Sequence, residues 1–355
     1  MAEGGATYVC GFADCAEAGN ERVGGKAVGL GRLTAHGLPV PPGFAITIDA
    51  YREQVAAGGL LDRVAALVDA ADSAEQRARA ASEIEHLFAD AAMPDAIASD
   101  VRTAYAALGD DAPVAVRSSA DAEDTADASF AGQQESYLWI SGAAAVLAHV
   151  RRCWASLFTP QAIAYRADRG IAARDVAMGV VVQEMVPATV AGVLMTLDPV
   201  TGDPSQITIE ACYGLGLALV GGEVTPDRYT VDKVALAPRE RVARTKHIAY
   251  EFDAGAGEVR AVEVAEDRRD ALCLSGDEVL ALAELGKRIE RALGGAQDVE
   301  WALGPGAPGA REVFLLQTRP ETVWSRKPRG PVAAQGANAM ERMLATMRTP
   351  VRLKD

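Results

Sequence analysis

The sequence predicts an α+β protein, and three observations predict it. An alanine-rich stretch at 51–108 repeats apolar residues at helical spacing: Leu60, Leu61, Val64, Leu67 and Val68, then Ile84, Leu87 and Phe88. From Val176 onward the apolar residues fall instead into short β-type runs, at 179–183, 190–196, 207–210, 229–231 and 313–317. Helices mixed with mainly short strands argue against a doubly wound parallel sheet.

Taken in order, residues 25–36 (GKAVGLGRLTAH) read as a short helix that ends at Gly37, with Pro39, Pro41 and Pro42 as a stop. The helical stretch 51–108 is scaffold. After Pro113 a short strand, 114–117, leads into a polar loop, 118–127. Helix returns near 143–166, followed by the β-type runs. A further helix runs from about Asp277 to Leu293, capped near Ser275, and 340–347 reads as a short helix in a basic tail.

Composition bounds the function. With 355 residues, 49% hydrophobic and 24% charged, the chain has ordinary globular composition and about two domains' length at ~150 residues each. Disordered, collagenous and small disulfide-stapled classes are excluded. A net charge of −14 repels nucleic acid and anionic lipid, so neither is an expected partner. A phosphate ligand would require a local positive pocket. The five scattered cysteines lack a C-x-x-C pair and read as reduced, buried thiols. No charged region precedes an apolar leader, since Arg22 is the first basic residue, and 177–197 is broken by Gln183, Glu184 and Pro187. A soluble, cytoplasmic protein is expected.

Four segments carry residues suited to phosphate chemistry. Lys26, the only lysine before Lys233, follows Gly24-Gly25 at a helix start, where free N–H groups attract anions and glycine admits a phosphate. A surface lysine is the plainer alternative. Arg117 ends an apolar strand, and an arginine carried inward must meet a carboxylate or a phosphate; a salt bridge to Asp121 or Glu123 would also satisfy it. The segment 129–134 (SFAGQQ) has the small residues of a flap. Period two places Asp298 and Glu300 on one strand face, and likewise Gln317 and Arg319. Oxygen ligands beside a guanidinium suit Mg²⁺ holding a polyphosphate, although each pair alone could be a solvated strand face.

The segments GGKAVGLGRLTAHGLPVPPGFAITIDAY, VAVRSSADAEDTADASFAGQQESYL, VVVQEMVPATVAGVLMTLDPVTGD, IEACYGLGLALVGGEVTPDRY and DVEWAL…FLLQTRPET occur in this order. Together they closely resemble the ATP-binding part of the phosphoenolpyruvate synthase, pyruvate phosphate dikinase and rifampin phosphotransferase family, over roughly 8–325. The resemblance implies an ATP-grasp fold with two subdomains enclosing ATP, 1–190 (with the helical insert 51–108) and 191–325, followed by the tail 326–355. It implies that Lys26 and Arg117 grip the phosphates under a flap containing Gly132 and Ser136. Gln183, Glu184 and Val186 would line the adenine end. Glu300 and Gln317 would be Mg²⁺ ligands, with Asp298 assisting, and Arg319 would contact the transferring phosphates. Two departures stand out: Leu217 follows Gly214-Leu215-Gly216 where the family usually has an acidic residue, and GPGAPGAR lengthens the hairpin between Glu300 and Gln317.

In the family, the β-phosphoryl group of ATP goes to a histidine on a swivelling domain and then to a small acceptor, leaving AMP and Pi. His36, His86, His149 and His247 all lack the glycine- and threonine-rich context of that histidine. Three readings follow. One is the ATP-binding subunit of a split phosphotransferase whose histidine lies on a partner subunit, an arrangement resembling phenylphosphate synthase with phenol as acceptor. Another is the ATP-binding domain of a phosphoenolpyruvate synthase or rifampin phosphotransferase. The third is a nucleotide-sensing module without chemistry, disfavoured by the complete phosphoryl-transfer set.

Overall fold

The computed structural model describes residues 7–120, 136–307 and 310–325; Gly132 and the flap around it, the loop carboxylates Asp121 and Glu123, and the tail with its expected helix lie outside the described residues. The chain divides into two units, Met1–Glu321 and Thr322–Asp355, and the fold below is that of the first.

Five strands, β1 (Val9–Gly11), β2 (Gly43–Ile46), β3 (Val114–Ala120), β4 (Ser136–Ile140) and β5 (Met178–Glu184), form an antiparallel sheet ordered β1-β2-β5-β3-β4. The chain then crosses into β6 (Val190–Met195), β7 (Gln206–Tyr213), β8 (Asp227–Asp232) and β9 (Ala237–Val242). A separate hairpin, β10 (Ile248–Asp253) and β11 (Glu258–Glu263), follows. Finally β12 (Gln297–Pro305) and β13 (Arg311–Pro320) close a second antiparallel sheet ordered β13-β12-β6-β7-β8-β9. The α+β class holds.

Period two explains why β5 is apolar from Val180 to Val182. Val180 and Val182 pack with the helices of 48–106 and 143–169, while Val181 between them packs with Ala27, Val28 and Leu30 of the helix Gly25–Ala35. Both faces are covered, so the strand reads as a continuous apolar run. In the second sheet, Val299, Trp301, Leu303, Ile207 and Ile209 face the helix Gly276–Leu293. That helix begins where expected because Ser275 and Glu278 form a reciprocal capping box.

One expectation is corrected. Residues 118–120 are strand, not loop: Ser118, Ser119 and Ala120 continue the β3–β5 ladder opposite Val180, Gly179 and Met178. The hydroxyl side chains of Ser118 and Ser119 are short enough for a buried sheet, and backbone pairing outweighs their turn preference. In addition, strands β1, β2, β4 and β9–β11 were not visible as periodic runs, being short or exposed. The five cysteines are buried and free, as their scatter suggested. No described helix is long and apolar enough to cross a membrane.

The helix Gly25–Ala35 touches both sheets. A Cβ on Gly24 would stand 2.1 Å from Ser119 O of β3, and one on Gly29 would stand 2.7 Å from Thr318 O of β13. Further along, Leu33 and Leu38 join the core of the second sheet, and Leu315 N–H donates to Pro39 O at 2.8 Å. Glycine at 24 therefore serves close backbone approach within the protein.

Candidate functional site

Alternation along β3 turns Arg117 and Ser119 toward the helix Gly25–Ala35, away from Val114 and Val116 in the large helical core. Ser119 Oγ donates to Val23 O at 2.9 Å and accepts from Ala27 N–H at 3.3 Å, fixing the helix start. Lys26 is thereby carried to the same strand, 5% exposed, and its Nζ donates to Ser118 O at 2.7 Å.

Arg117 crosses from the first sheet to the second. Its Nη2 donates to Glu300 Oε2 at 2.7 Å and to Gln317 Oε1 at 2.9 Å, and its Nη1 donates to Leu316 O at 3.0 Å. Leu316 is available because β12 and β13 shift register between Glu300 and Trp301: Gln317 faces Glu300, Leu315 faces Trp301, and Leu316 has no partner. This β-bulge turns a ladder carbonyl toward the guanidinium. Among the described residues the carboxylate Arg117 meets is Glu300, 183 residues away; the alternative partners Asp121 and Glu123 lie outside the described residues.

Register defines the rest of the second sheet's face. Gln317, Glu300, Val193, Glu210 and Arg228 lie in one cross-strand row; Arg319, Asp298, Met195, Thr208 and Thr230 lie in the next. Asp298 Oδ2 accepts from Arg319 Nε at 3.3 Å. Toward the other end, Ala302, Ala191 and Val186 form an apolar cluster with Phe314 and Leu316 packed against it. The face thus grades from an apolar end to a charged one, which suits an elongated ligand that is itself apolar at one end and anionic at the other.

Charge follows the same geometry. Burial disfavours ionised Glu300, but Arg117 beside it, with Lys26 and Arg319 farther off, holds its carboxyl below the usual carboxylate range. Asp298 goes the other way: burial raises it, Arg319 only partly offsets that, and Glu321 adds a like charge.

The remaining expected residues are placed as follows. Ser136 is exposed at the start of β4, directly across from Arg117. Gln183 stands opposite Ala115 and Gly43, on the same face of the first sheet as Arg117. It is 2% exposed, and among the described residues its Nε2 has no hydrogen-bond partner. An orphaned buried amide costs about 1–3 kcal/mol. Glu184 N–H donates to Pro42 O at 2.9 Å as the chain leaves β5. Leu217, the departure from the family pattern, opens a one-turn helix (Leu217–Val220) and lines a cavity of about 300 Å³ with Ser136, Tyr137, Leu138, Ile140, Tyr250 and Val259.

The donor set fits a hard cation: two oxygens, Glu300 Oε2 and Gln317 Oε1, converge on a single positively charged nitrogen. Among the described residues no cluster of three or more His, Cys, Asp or Glu side chains is placed to hold a metal. Any cation here would therefore complete its shell from phosphate oxygens and water.

Sequence reading missed Glu210, Thr208, Arg228 and the Leu316 carbonyl. Thr208 and Glu210 were detectable as the polar alternates in Ile207-Thr-Ile-Glu-Ala211, which marks a second strand face. Leu316 had no signal, because nothing local encodes the bulge.

Residues 20–339 match the family described as the pyruvate phosphate dikinase AMP/ATP-binding domain, and the chain belongs to that family. It is 39% identical over 331 residues to the probable phosphoenolpyruvate synthase of Staphylothermus marinus, covering 85% of this chain and 40% of that one. The corresponding protein of Methanothermobacter thermautotrophicus is 42% identical over 306 residues, covering 84% and 44%. A rifampicin phosphotransferase from a Streptomyces species is 41% identical over 314 residues, covering 87% and 35%. The chain spans less than half the length of these relatives.

Proposed function

We propose that the chain is an ATP-grasp unit whose subdomains, 1–190 and 191–325, enclose Mg-ATP, and that it loads a β-phosphoryl group for transfer. The observation that carries this reading is Arg117, which joins the two sheets by three bonds while Lys26, on the adjoining helix, bonds the next residue of the same strand. Lys26 and Arg117 would hold the phosphates, with Ser136 across from Arg117 and Arg319 meeting the transferring groups as a fork donor. Mg²⁺, held by Glu300 and Gln317 with Asp298 assisting, would neutralise charge on the phosphate chain. The apolar cluster at Val186, with Gln183 and Glu184 beside it, would take the base, and the unpartnered Gln183 amide supplies a donor for a base edge.

The acceptor lies outside this site. His86 Nδ1 and His149 Nδ1 contact carbonyls of their own helices at 2.7 and 2.8 Å, and His36 and His247 are exposed at a helix end and beside β10. In this reading the receiving histidine stands on a partner subunit, from which a small acceptor, phenol being the best fit by family resemblance, would take the group as phenylphosphate. The balance is ATP, water and acceptor giving AMP, Pi and phosphorylated acceptor. A second reading, the same site serving a longer phosphoenolpyruvate synthase or rifampicin phosphotransferase, is favoured by identities of about 40% to such proteins.

ATP labelled separately at the β and γ positions tests both. Label from β on a histidine of added partner, with AMP formed, supports the transfer reading. ADP formation by the chain alone would replace it with an ordinary kinase. Unchanged ATP consumption in Lys26→Ala and Arg117→Ala would overturn the site.

A further inference from the structure

We propose that Arg117 and a divalent cation compete for the same two oxygens, Glu300 Oε2 and Gln317 Oε1, so that the protein takes metal there only when an anion draws the guanidinium away. The inference rests on the reading of Glu300 and Gln317 as cation ligands.

The geometry is specific. One nitrogen, Nη2, receives both oxygens at 2.7 and 2.9 Å, so it stands where a cation bound to both would stand. A hard cation sits closer still to its oxygen ligands and carries twice the charge, so the two occupants exclude each other by space and by repulsion. Arg117 is held in that position by a third bond, from Nη1 to Leu316 O at 3.0 Å, through a carbonyl that the bulge frees from the ladder. The bulge thus reinforces the guanidinium's hold on this hairpin.

Release has an equally direct cause. A guanidinium prefers the fork geometry of a phosphate, and Lys26 at Ser118 supplies a second positive charge on the same side. A polyphosphate engaging both would give Arg117 new partners while leaving Glu300 unpaired. Once the guanidinium leaves, Glu300 Oε2 loses the partner it held at 2.7 Å, and a divalent cation can take that place. The coupling makes metal binding conditional on the anion.

Mn²⁺ alone, titrated into the full chain with free Mn²⁺ read by electron paramagnetic resonance, tests the competition. Arg117→Met is expected to bind Mn²⁺ at least about ten-fold more tightly than the parent, and to lose that gain when Glu300→Gln is added. Arg117→Gln provides the same reading, and Arg117→Lys, which keeps the charge but not the fork, should gain less and serves if the neutral variants fail to fold by circular dichroism. Equal Mn²⁺ affinity in a folded variant and the parent overturns the proposal. The ligand reading has its own arm: with a non-hydrolysable ATP analogue present, Glu300→Gln must weaken Mn²⁺ binding. If it does while the Arg117 variants gain nothing, the competition alone falls; if it does not, the ligand reading falls first.

Discussion

Gly24 and Ser119 meet so closely that a Cβ on Gly24 would lie 2.1 Å from the Ser119 carbonyl oxygen, with φ at 80° and ψ at 163°. That backbone conformation is open almost only to glycine, and the contact sets how far Lys26 reaches along β3. Gly24→Ala is expected to destabilise the protein by about 2–4 kcal/mol in urea unfolding, combining strain and overpacking. ATP retention in equilibrium dialysis should fall further than the stability loss explains, because Lys26 moves with the helix start. A fully stable Gly24→Ala protein would contradict the packing described.

Gln183 offers a cleaner separation of structure from function. Its buried Nε2 has no partner among the described residues, so Gln183→Met removes an unsatisfied donor and keeps the volume. The thermal midpoint should hold or rise by a few degrees, while ATP affinity drops about ten-fold if the amide reads the base. A parallel loss of stability and affinity would make Gln183 a packing residue.

Asp298 and Glu300, two residues apart on one face, should give opposite pH signatures. Asp298 is raised, so its ionised form subtracts from stability above its folded pKa, and the penalty fades as pH falls toward the unfolded value near ~3.9. Asp298→Asn should therefore be more stable than the parent at pH 7 and converge with it by about pH 4. Glu300 is lowered, and its contribution is complete above the unfolded value near ~4.3 and lost as pH falls through the folded one. Glu300→Gln should be less stable at pH 7, with a deficit that narrows only in more acidic solution. Thermal melts across pH 3–8, about the span of these transitions, check both signs.

Lys246 and Asp227 form a fully buried ion pair at 2.5 Å, away from the candidate site. Asp227 also accepts from the backbone N–H groups of Arg244 at 2.9 Å and Cys273 at 2.8 Å, so the carboxylate ties β8 to two loops. Lys246→Met strands that carboxylate, and a loss of about 3–5 kcal/mol in urea unfolding is expected. Asp227→Asn should cost less, since an amide oxygen can still accept from one N–H and Lys246 retains the Arg244 carbonyl at 2.7 Å.

Much of this protein is legible without coordinates wherever the signal is local. The Ser275–Glu278 box, the 3.6-residue stripe of the helical scaffold and the period-two placement of Asp298 with Glu300 each depend only on neighbours in sequence. The motifs that carry the family resemblance are of the same kind. They named Lys26, Arg117, Glu300 and Gln317 as one set without saying how the set is assembled.

Assembly is tertiary. Arg117 and Glu300 are brought together only when one sheet is laid beside the other, and the Leu316 carbonyl becomes an acceptor only because a bulge breaks the β12–β13 ladder. Nothing near Arg117 in sequence encodes either event. Sequence by itself determined which side chains carry charge and which strand face each occupies, because alternation is a property of the backbone. The fold decided which charges neutralise one another, because Coulomb energy depends on separation in space, and a carboxylate 183 residues away became a partner of Arg117.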